Sequence, residues 1–386
     1  MRSVCVVGAS LAGLLTARAL RAQGYDGRLV LVGEELHRPY DRPPLSKDFL
    51  KGVLDEADLA LEADGEELAA EWRLGVAATG LDAAARRVTL SDGTHVEADG
   101  IVIATGASAR RLPGTESLAG VHTLRTLDDA RALRHDLASA KRVVVIGGGF
   151  IGTEVAATAC ALGLEVTLVE AGKIPLAGVV GVQMAEAIAT LHERRGVRLL
   201  RGARVTALTG VTRVDGVRLA DGTLLPADVV VVGIGAVPNI AWLENSGLRL
   251  GDGVICDAGG GTLAPGIVAV GDCAAWFDPA LGRHERCEHW TGARLRAAVA
   301  AETLLSGGAA RPARPRPAYI WSDQFDVKIQ FVGHARHADT VVVEEGDPAD
   351  HSFLAVYRQG ERPVAVLGVN QVRLFSRWRR QLETAV

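Results

Sequence analysis

The chain has 386 residues, 48% hydrophobic and 23% charged, and a formal net charge of -4. That length accommodates two or three domains, each with its own core. The mild negative balance argues against a nucleic-acid partner, and no apolar run reaches the ~18 residues that a membrane-spanning helix needs.

The first elements read as a nucleotide-binding unit. Ser3 to Val7 is an apolar strand, and Gly8, Ser10 and Gly13 follow at the three positions of a G-x-G-x-x-G turn. A helix over Leu11 to Gln23 stops at Gly24, and a second strand over Arg28 to Val32 is followed by the acidic Glu34. In such a βαβ unit the glycines permit a tight turn and close helix–strand packing, the helix N-terminus receives a pyrophosphate, and the acid accepts ribose hydroxyls. Serine replaces the middle glycine here, but it is small and the rest of the unit is intact. The apolar start carries one arginine and superficially resembles a signal peptide. Gly8 and Gly13 at turn positions, with charge resuming at Arg18 and Arg21, fit a βα unit better.

His37 to Gly52 (HRPYDRPPLSKDFLKG) follows. Pro39, Pro43 and Pro44 stiffen it and exclude a helix until about Ser46, which reads as an N-cap. By itself the segment fits a surface connection as well as a rigid loop against a flat ligand. Glu56 to Glu71 is acidic and reads as partly helical. A hairpin then turns at Ser91-Asp92-Gly93.

One plan occurs twice. Leu90 to Arg110 and Leu219 to Asn239 share a D-G turn, an acid before an apolar strand, and a glycine closing that strand. Each lies downstream of a βαβ unit. The second unit runs from Arg142 to Glu170, with a strand over Arg142 to Ile146, glycines Gly147, Gly149 and Gly152, an Ala-rich helix ending at Gly163, and a strand finishing on Glu170. A second nucleotide domain inserted into the first explains this order. The expected division is 1–111 with 239–310 for the outer domain, 112–238 for the insert and 311–386 for a small β-rich C-terminal domain ending in an Arg-rich helix over Gln371 to Leu382.

Two fingerprints call for two nucleotides, and the common pair is a tightly held flavin and an exchangeable nicotinamide, because hydride passes directly between them. Gly271-Asp272 ends a strand, Ile267 to Val270, in the resumed outer domain, so it belongs with the first fingerprint. The five cysteines, Cys5, Cys160, Cys256, Cys273 and Cys287, form neither C-x-x-C nor C-x-x-x-x-C. Their scatter predicts reduced, mostly buried thiols, a cytoplasmic setting and no metal site. Without a dithiol beside the flavin, electrons are expected to leave it singly for an external acceptor.

Several stretches, in order along nearly the whole chain, resemble the FAD-dependent ferredoxin reductases of bacterial oxygenase systems, the putidaredoxin reductase type. They are RPYDRPPLSK (Arg38 to Lys47), IVIATGA (Ile101 to Ala107), LRTLDDA (Leu124 to Ala130), VVVIGGGFIGTEVA (Val143 to Ala156), VGIGAVPN (Val232 to Asn239), AVGDCA (Ala269 to Ala274), EHWTGA (Glu288 to Ala293) and WSDQ (Trp321 to Gln324). The resemblance implies an α/β protein with two Rossmann-like domains and a C-terminal α+β domain, arranged as in glutathione reductase. It implies an NADH-dependent flavoprotein that passes single electrons to a [2Fe–2S] ferredoxin. A rubredoxin reductase, a monodehydroascorbate-type reductase and a redox nucleotide sensor are the alternatives. No nucleic-acid or membrane partner is implied, and no oligomeric state is fixed.

The resemblance also implies roles. FAD would contact Gly8, Ser10, Ala12, Gly13, Glu34, Arg42, Pro43, Lys47, Ala78, Ala104, Thr105, Gly106, Arg125, Asp272, Glu288, His289 and Trp290. NADH would contact Gly147, Gly149, Phe150, Ile151, Gly152, Glu154, Glu170, Ile234 and Gly235. Lys47 and Glu154 would pair near the nicotinamide–flavin contact as the catalytic groups. Taken alone, Lys47 fits a solvated lysine, Arg125 a helix-side salt bridge, and Glu154 complementation of a helix dipole. Glu170 favours NADH over NADPH, since a carboxylate repels a 2′-phosphate. Trp321 reads either as a flavin shield or as a core aromatic. A basic docking face is expected from Arg311, Arg314 and Arg316, or from Arg373, Arg377, Arg379 and Arg380.

Overall fold

The protein is described from a computed structural model that covers residues 1–115, 117–279, 281–308, 317 and 319–384. The chain divides into two compact units, one of Met1–Asp41, Ala60–Ser108 and Val237–Ala318, the other of Arg42–Leu59, Ala109–Ala236 and Tyr319–Val386. Arg311, Arg314 and Arg316 fall outside the described residues.

The first unit is built on a five-stranded parallel sheet, in the order Ile267–Ala269, Gly100–Ile103, Ser3–Val7, Arg28–Gly33, Ala70–Leu74. Its central strands are nearly all Val, Ile and Leu because both faces are covered. Val4, Val6, Leu31, Ile101 and Val102 are fully buried. The helices Leu11–Ala22 and Trp290–Leu305 pack against each other. The segment read as partly helical before Glu71 holds only a short 3-10 turn at Ala57–Leu59 and otherwise runs in turns, with Gly65 at φ 74° and Ala69 at φ 46°. Its acids serve as anchors: Glu62 pairs with Arg38, and Glu66 with Arg18.

The second unit repeats the plan. Its parallel sheet runs Arg198–Arg201, Glu165–Glu170, Arg142–Ile146, Val229–Val232, Val121–His122. In register, Val143 to Ile146 pairs with Val166 to Val169 on one side and with Val229 to Val232 on the other. The helix Phe150–Ala161 follows the central strand. A five-stranded antiparallel sheet, in the order Tyr319–Gln324, Val327–Gly333, Arg362–Val369, Ser352–Gln359, Thr340–Asp347, completes the unit with the helix Val372–Thr384. Its inner face joins the helix Val182–Arg194 in one apolar core containing Met184, Ile188, Phe331 and Phe353.

Candidate active site

The first turn is set by crowding. Gly8 has φ 120°, and a Cβ on it would lie 2.0 Å from the Ala104 carbonyl oxygen. A Cβ on Gly13 would lie 1.8 Å from the Gly8 oxygen. Strand, turn and helix close at a distance that only glycine permits. Ser10 caps the helix with extended backbone at φ -117°. Gly271, at φ 79°, brings the end of its strand to the same turn, where a Cβ would lie 2.8 Å from the Ala12 Cβ. Asp272 is therefore delivered beside the fingerprint. Ala104 is buried, and the half-buried Thr105 and Gly106 are stitched to Asn239. The Thr105 hydroxyl donates to the Asn239 carbonyl at 2.7 Å, the Asn239 amide donates to the Thr105 carbonyl at 3.0 Å, and the Asn239 N–H donates to the Gly106 carbonyl at 3.0 Å.

Elsewhere in this unit Glu34 follows its strand and is exposed, and Ala78 begins the strand Ala78–Asp82. Glu288 accepts an ion pair from Arg286. His289 caps the helix Trp290–Leu305, and the Trp290 indole N–H donates to Asp41 Oδ1 at 2.8 Å.

The second unit has the same crowding at Gly147 and Gly152, where a Cβ on Gly152 would lie 1.9 Å from the Gly147 oxygen. Gly149 differs, because nothing lies within 4 Å of the position of its Cβ. This open cradle caps the helix Phe150–Ala161, whose first N–H groups lack partners in the helix. Space and positive charge there suit a phosphate. Phe150 is half-buried, whereas Ile151 is exposed. Ile234 and the exposed Gly235 follow the strand Val229–Val232.

Glu170 is held rather than free. Its Oε2 accepts from the Gly148 N–H at 2.6 Å and its Oε1 from the Gly172 N–H at 2.5 Å. Each carboxylate oxygen still has acceptor capacity for a ribose hydroxyl.

Arg42, Pro43, Lys47 and Arg125 also belong to this second unit. Pro43 opens the 3-10 turn Pro43–Ser46, and Arg42 donates to the Arg125 carbonyl at 2.5 Å. Lys47 meets Glu154, its Nζ lying 2.6 Å from Glu154 Oε2. Both are withdrawn from water, at 12% and 4% side-chain exposure. Ser46 is not the helix cap that its position suggests; Lys47 takes that position, and the Ser46 hydroxyl donates to Glu154 Oε2 at 2.5 Å instead. Ser322 donates to Glu154 Oε1 at 2.7 Å. The lysine and the hydroxyls meet the demand of a buried carboxylate for donors.

Residues 2–297 match the pyridine nucleotide-disulphide oxidoreductase family, and residues 319–386 match the reductase C-terminal family. The chain belongs to the pyridine nucleotide-disulphide oxidoreductase family. The ferredoxin–NAD(+) reductase component of the anthranilate 1,2-dioxygenase system of Burkholderia cepacia is 38% identical, over 95% of this chain and 90% of that protein. The corresponding component of the biphenyl dioxygenase system of Paraburkholderia xenovorans is 37% identical, over 100% and 94%. The crystal structure of a covalent putidaredoxin reductase–putidaredoxin complex superimposes with a TM-score of 0.94 at 33% identity, covering 99% of this chain and 93% of that one. The protein is an FAD-dependent oxidoreductase with FAD and NADH as cofactors. The glycine cradles fit dinucleotides.

One feature in the family name has no counterpart here. All five cysteines are free. Burial pushes the Cys5 thiol up to about 12, and burial also raises Cys160, Cys256, Cys273 and Cys287. Such thiols are poor nucleophiles at neutral pH. Among the described residues no helix is long and apolar enough to cross a membrane.

Reading the sequence residue by residue does not assign site roles to Ser46, Thr153, His192, Ser322 or Gln324. One signal was present. In the strand Tyr319–Gln324, alternation puts Ser322 and Gln324 on one face, both fully buried and both polar. Two hydroxyl or amide groups on the inward face of a strand imply a buried polar partner.

Proposed function

We propose that the protein is an NADH-dependent ferredoxin reductase. FAD occupies the first fingerprint, through Gly8, Ser10, Ala12, Gly13, Glu34, Thr105 and Asp272. NADH occupies the second, through Gly147, Gly149, Gly152 and Glu170. When bound, FAD would supply an acceptor for hydride from NADH and a donor of single electrons. The chain's own residues bind and orient the nucleotide and set charge. The helix N-terminus at Gly149 holds the pyrophosphate, Glu170 selects the ribose, and the buried Lys47–Glu154 pair supplies fixed charge where the nicotinamide docks. The external acceptor is a [2Fe–2S] ferredoxin serving an oxygenase; the anthranilate and biphenyl relatives are themselves ferredoxin–NAD(+) reductase components of dioxygenase systems. The five free cysteines support a reducing, cytoplasmic setting.

The observation that carries this reading is two glycine cradles on a chain without a reactive dithiol. Electrons that arrive as hydride have no internal disulfide to reduce. The test is NADH-driven cytochrome c reduction by the purified flavoprotein with a panel of [2Fe–2S] ferredoxins. Strong stimulation by at least one is expected. If NADH reduces the flavin and no ferredoxin accelerates turnover, the reductase reading is lost.

A further inference from the structure

Beyond Glu154 the buried hydrogen bonds continue through Ser322 and Gln324. The far end is His192, on the helix Val182–Arg194, only 1% exposed. Its Nε2 lies 2.7 Å from Gln324 Oε1, while its Nδ1 is buried without a partner. An imidazolium, or a neutral ring protonated on Nδ1, would bury an orphan N–H. A neutral ring protonated on Nε2 leaves only an unused lone pair. Orphan buried N–H groups are rarer than under-satisfied buried acceptors. Burial also pushes the pKa of His192 below its ordinary value, which keeps the ring neutral.

With the proton on Nε2, Gln324 presents its oxygen to the histidine and its NH2 to the other side. That NH2 donates to Thr153 Oγ1 at 2.9 Å and to Ser322 Oγ at 3.0 Å. Each hydroxyl, having accepted, sends its own proton onward. Thr153 donates to the carbonyls of Gly149 and Phe150, both at 3.0 Å. Ser322 donates to Glu154 Oε1 at 2.7 Å. Moving the ring proton to Nδ1 would turn the amide round. Thr153 and Ser322 would then spend their protons on the Gln324 oxygen, and Glu154 Oε1 would lose its serine donor.

We propose that His192 is a positioning residue that sets the direction of this chain, delivering Ser322 to Glu154 as a donor and Thr153 to the Gly149–Phe150 turn. One imidazole thus serves both the buried carboxylate and the nucleotide cradle. The consequence for hydride transfer rests on the role given above to Glu154; the direction of the chain does not.

Two measurements test it. In the wild-type holoenzyme, 15N NMR of the histidine rings, with His192 assigned by its loss in His192→Gln, should show Nε2 protonated and Nδ1 bare through the pH range of turnover. A proton on Nδ1, or an imidazolium, overturns the proposal. In stopped-flow reduction of the flavin by NADH, His192→Phe, which fills the space without a donor, should slow reduction on the order of tenfold, the worth of one buried hydrogen bond. His192→Gln, which carries a donor of similar reach, should recover most of the rate. Because the effect passes through Ser322, adding His192→Phe to Ser322→Ala should cost little more than Ser322→Ala alone. Multiplying effects, or equally slow Phe and Gln variants, overturn it. Glu154→Ala run alongside separates the two ideas. If it leaves reduction unchanged, the role of Glu154 fails, while the NMR result still decides the direction of the chain.

Discussion

At the residue scale the Lys47–Glu154 pair separates stability from function. A buried ion pair gains little over an apolar pair, but removing one partner strands the other. Lys47→Met should destabilise the protein by roughly 3 kcal/mol, at the low end because Ser46 and Ser322 still donate to the carboxylate. Adding Glu154→Gln should restore most of that loss and leave NADH-driven flavin reduction slow. Denaturant melts paired with stopped-flow traces check this; a double variant that regains speed with stability would mean that the pair is structural only. Glu170 leads to a second prediction. Because Gly148 and Gly172 pin both its oxygens, the carboxylate cannot swing aside for a 2′-phosphate. Glu170→Gln should lower kcat/KM for NADH on the order of tenfold, as one charge-assisted hydrogen bond is lost, and narrow the preference over NADPH. An unchanged ratio of kcat/KM for the two coenzymes would remove Glu170 from selection.

At the scale of elements, two glycines of one turn should fail in opposite ways. Gly152→Ala places a methyl 1.9 Å from a backbone oxygen, so the helix and strand must part and the fold suffers. Gly149→Ala meets no protein atom, so the protein should melt near the wild-type temperature, yet its methyl fills the space a phosphate needs. Thermal melts and NADH titration of the two variants distinguish these effects; comparable melting losses for both would refute the open-cradle reading. This contrast also marks how far a sequence can be read. The glycine turns are local, with cause and effect a few residues apart, so spacing alone foretells two parallel sheets. The Glu154 cluster joins residues 46, 47, 154, 192, 322 and 324 through tertiary contact, and no periodicity records which hydroxyl meets which carboxylate. The stretch before Glu71 misleads for a related reason. Its acidic, Ala-containing composition favours a helix locally, but the ion pairs of Glu62 and Glu66 and the left-handed Gly65 and Ala69 hold it in turns.

At the scale of the whole molecule the balance of charge hides an asymmetry. The net charge is -4, yet the last helix, Val372–Thr384, carries Arg373, Arg377, Arg379 and Arg380. These arginines do not have equal parts. Arg379 is engaged, paired with Glu383 at 2.8 Å and lying 4.1 Å over the Tyr319 ring. Arg373, Arg377 and Arg380 are exposed, while Phe375 and Leu382 anchor the helix in the core beneath them. Fixed cations on an anchored helix act through the rate of encounter with an acidic protein, and that contribution fades as salt shortens the screening length to about 8 Å at physiological strength. Reversing Arg373 and Arg377 to Glu should therefore lower the rate of ferredoxin reduction at low salt several-fold or more and flatten its dependence on ionic strength. Reduction of ferricyanide by NADH, which needs no protein docking, should stay at the wild-type rate. Arg379→Ala should behave differently, loosening Tyr319 and lowering the melting temperature with little change in the salt slope. If the charge reversals leave the slope intact, the acceptor docks elsewhere and Arg373 and Arg377 serve only to keep the helix solvated.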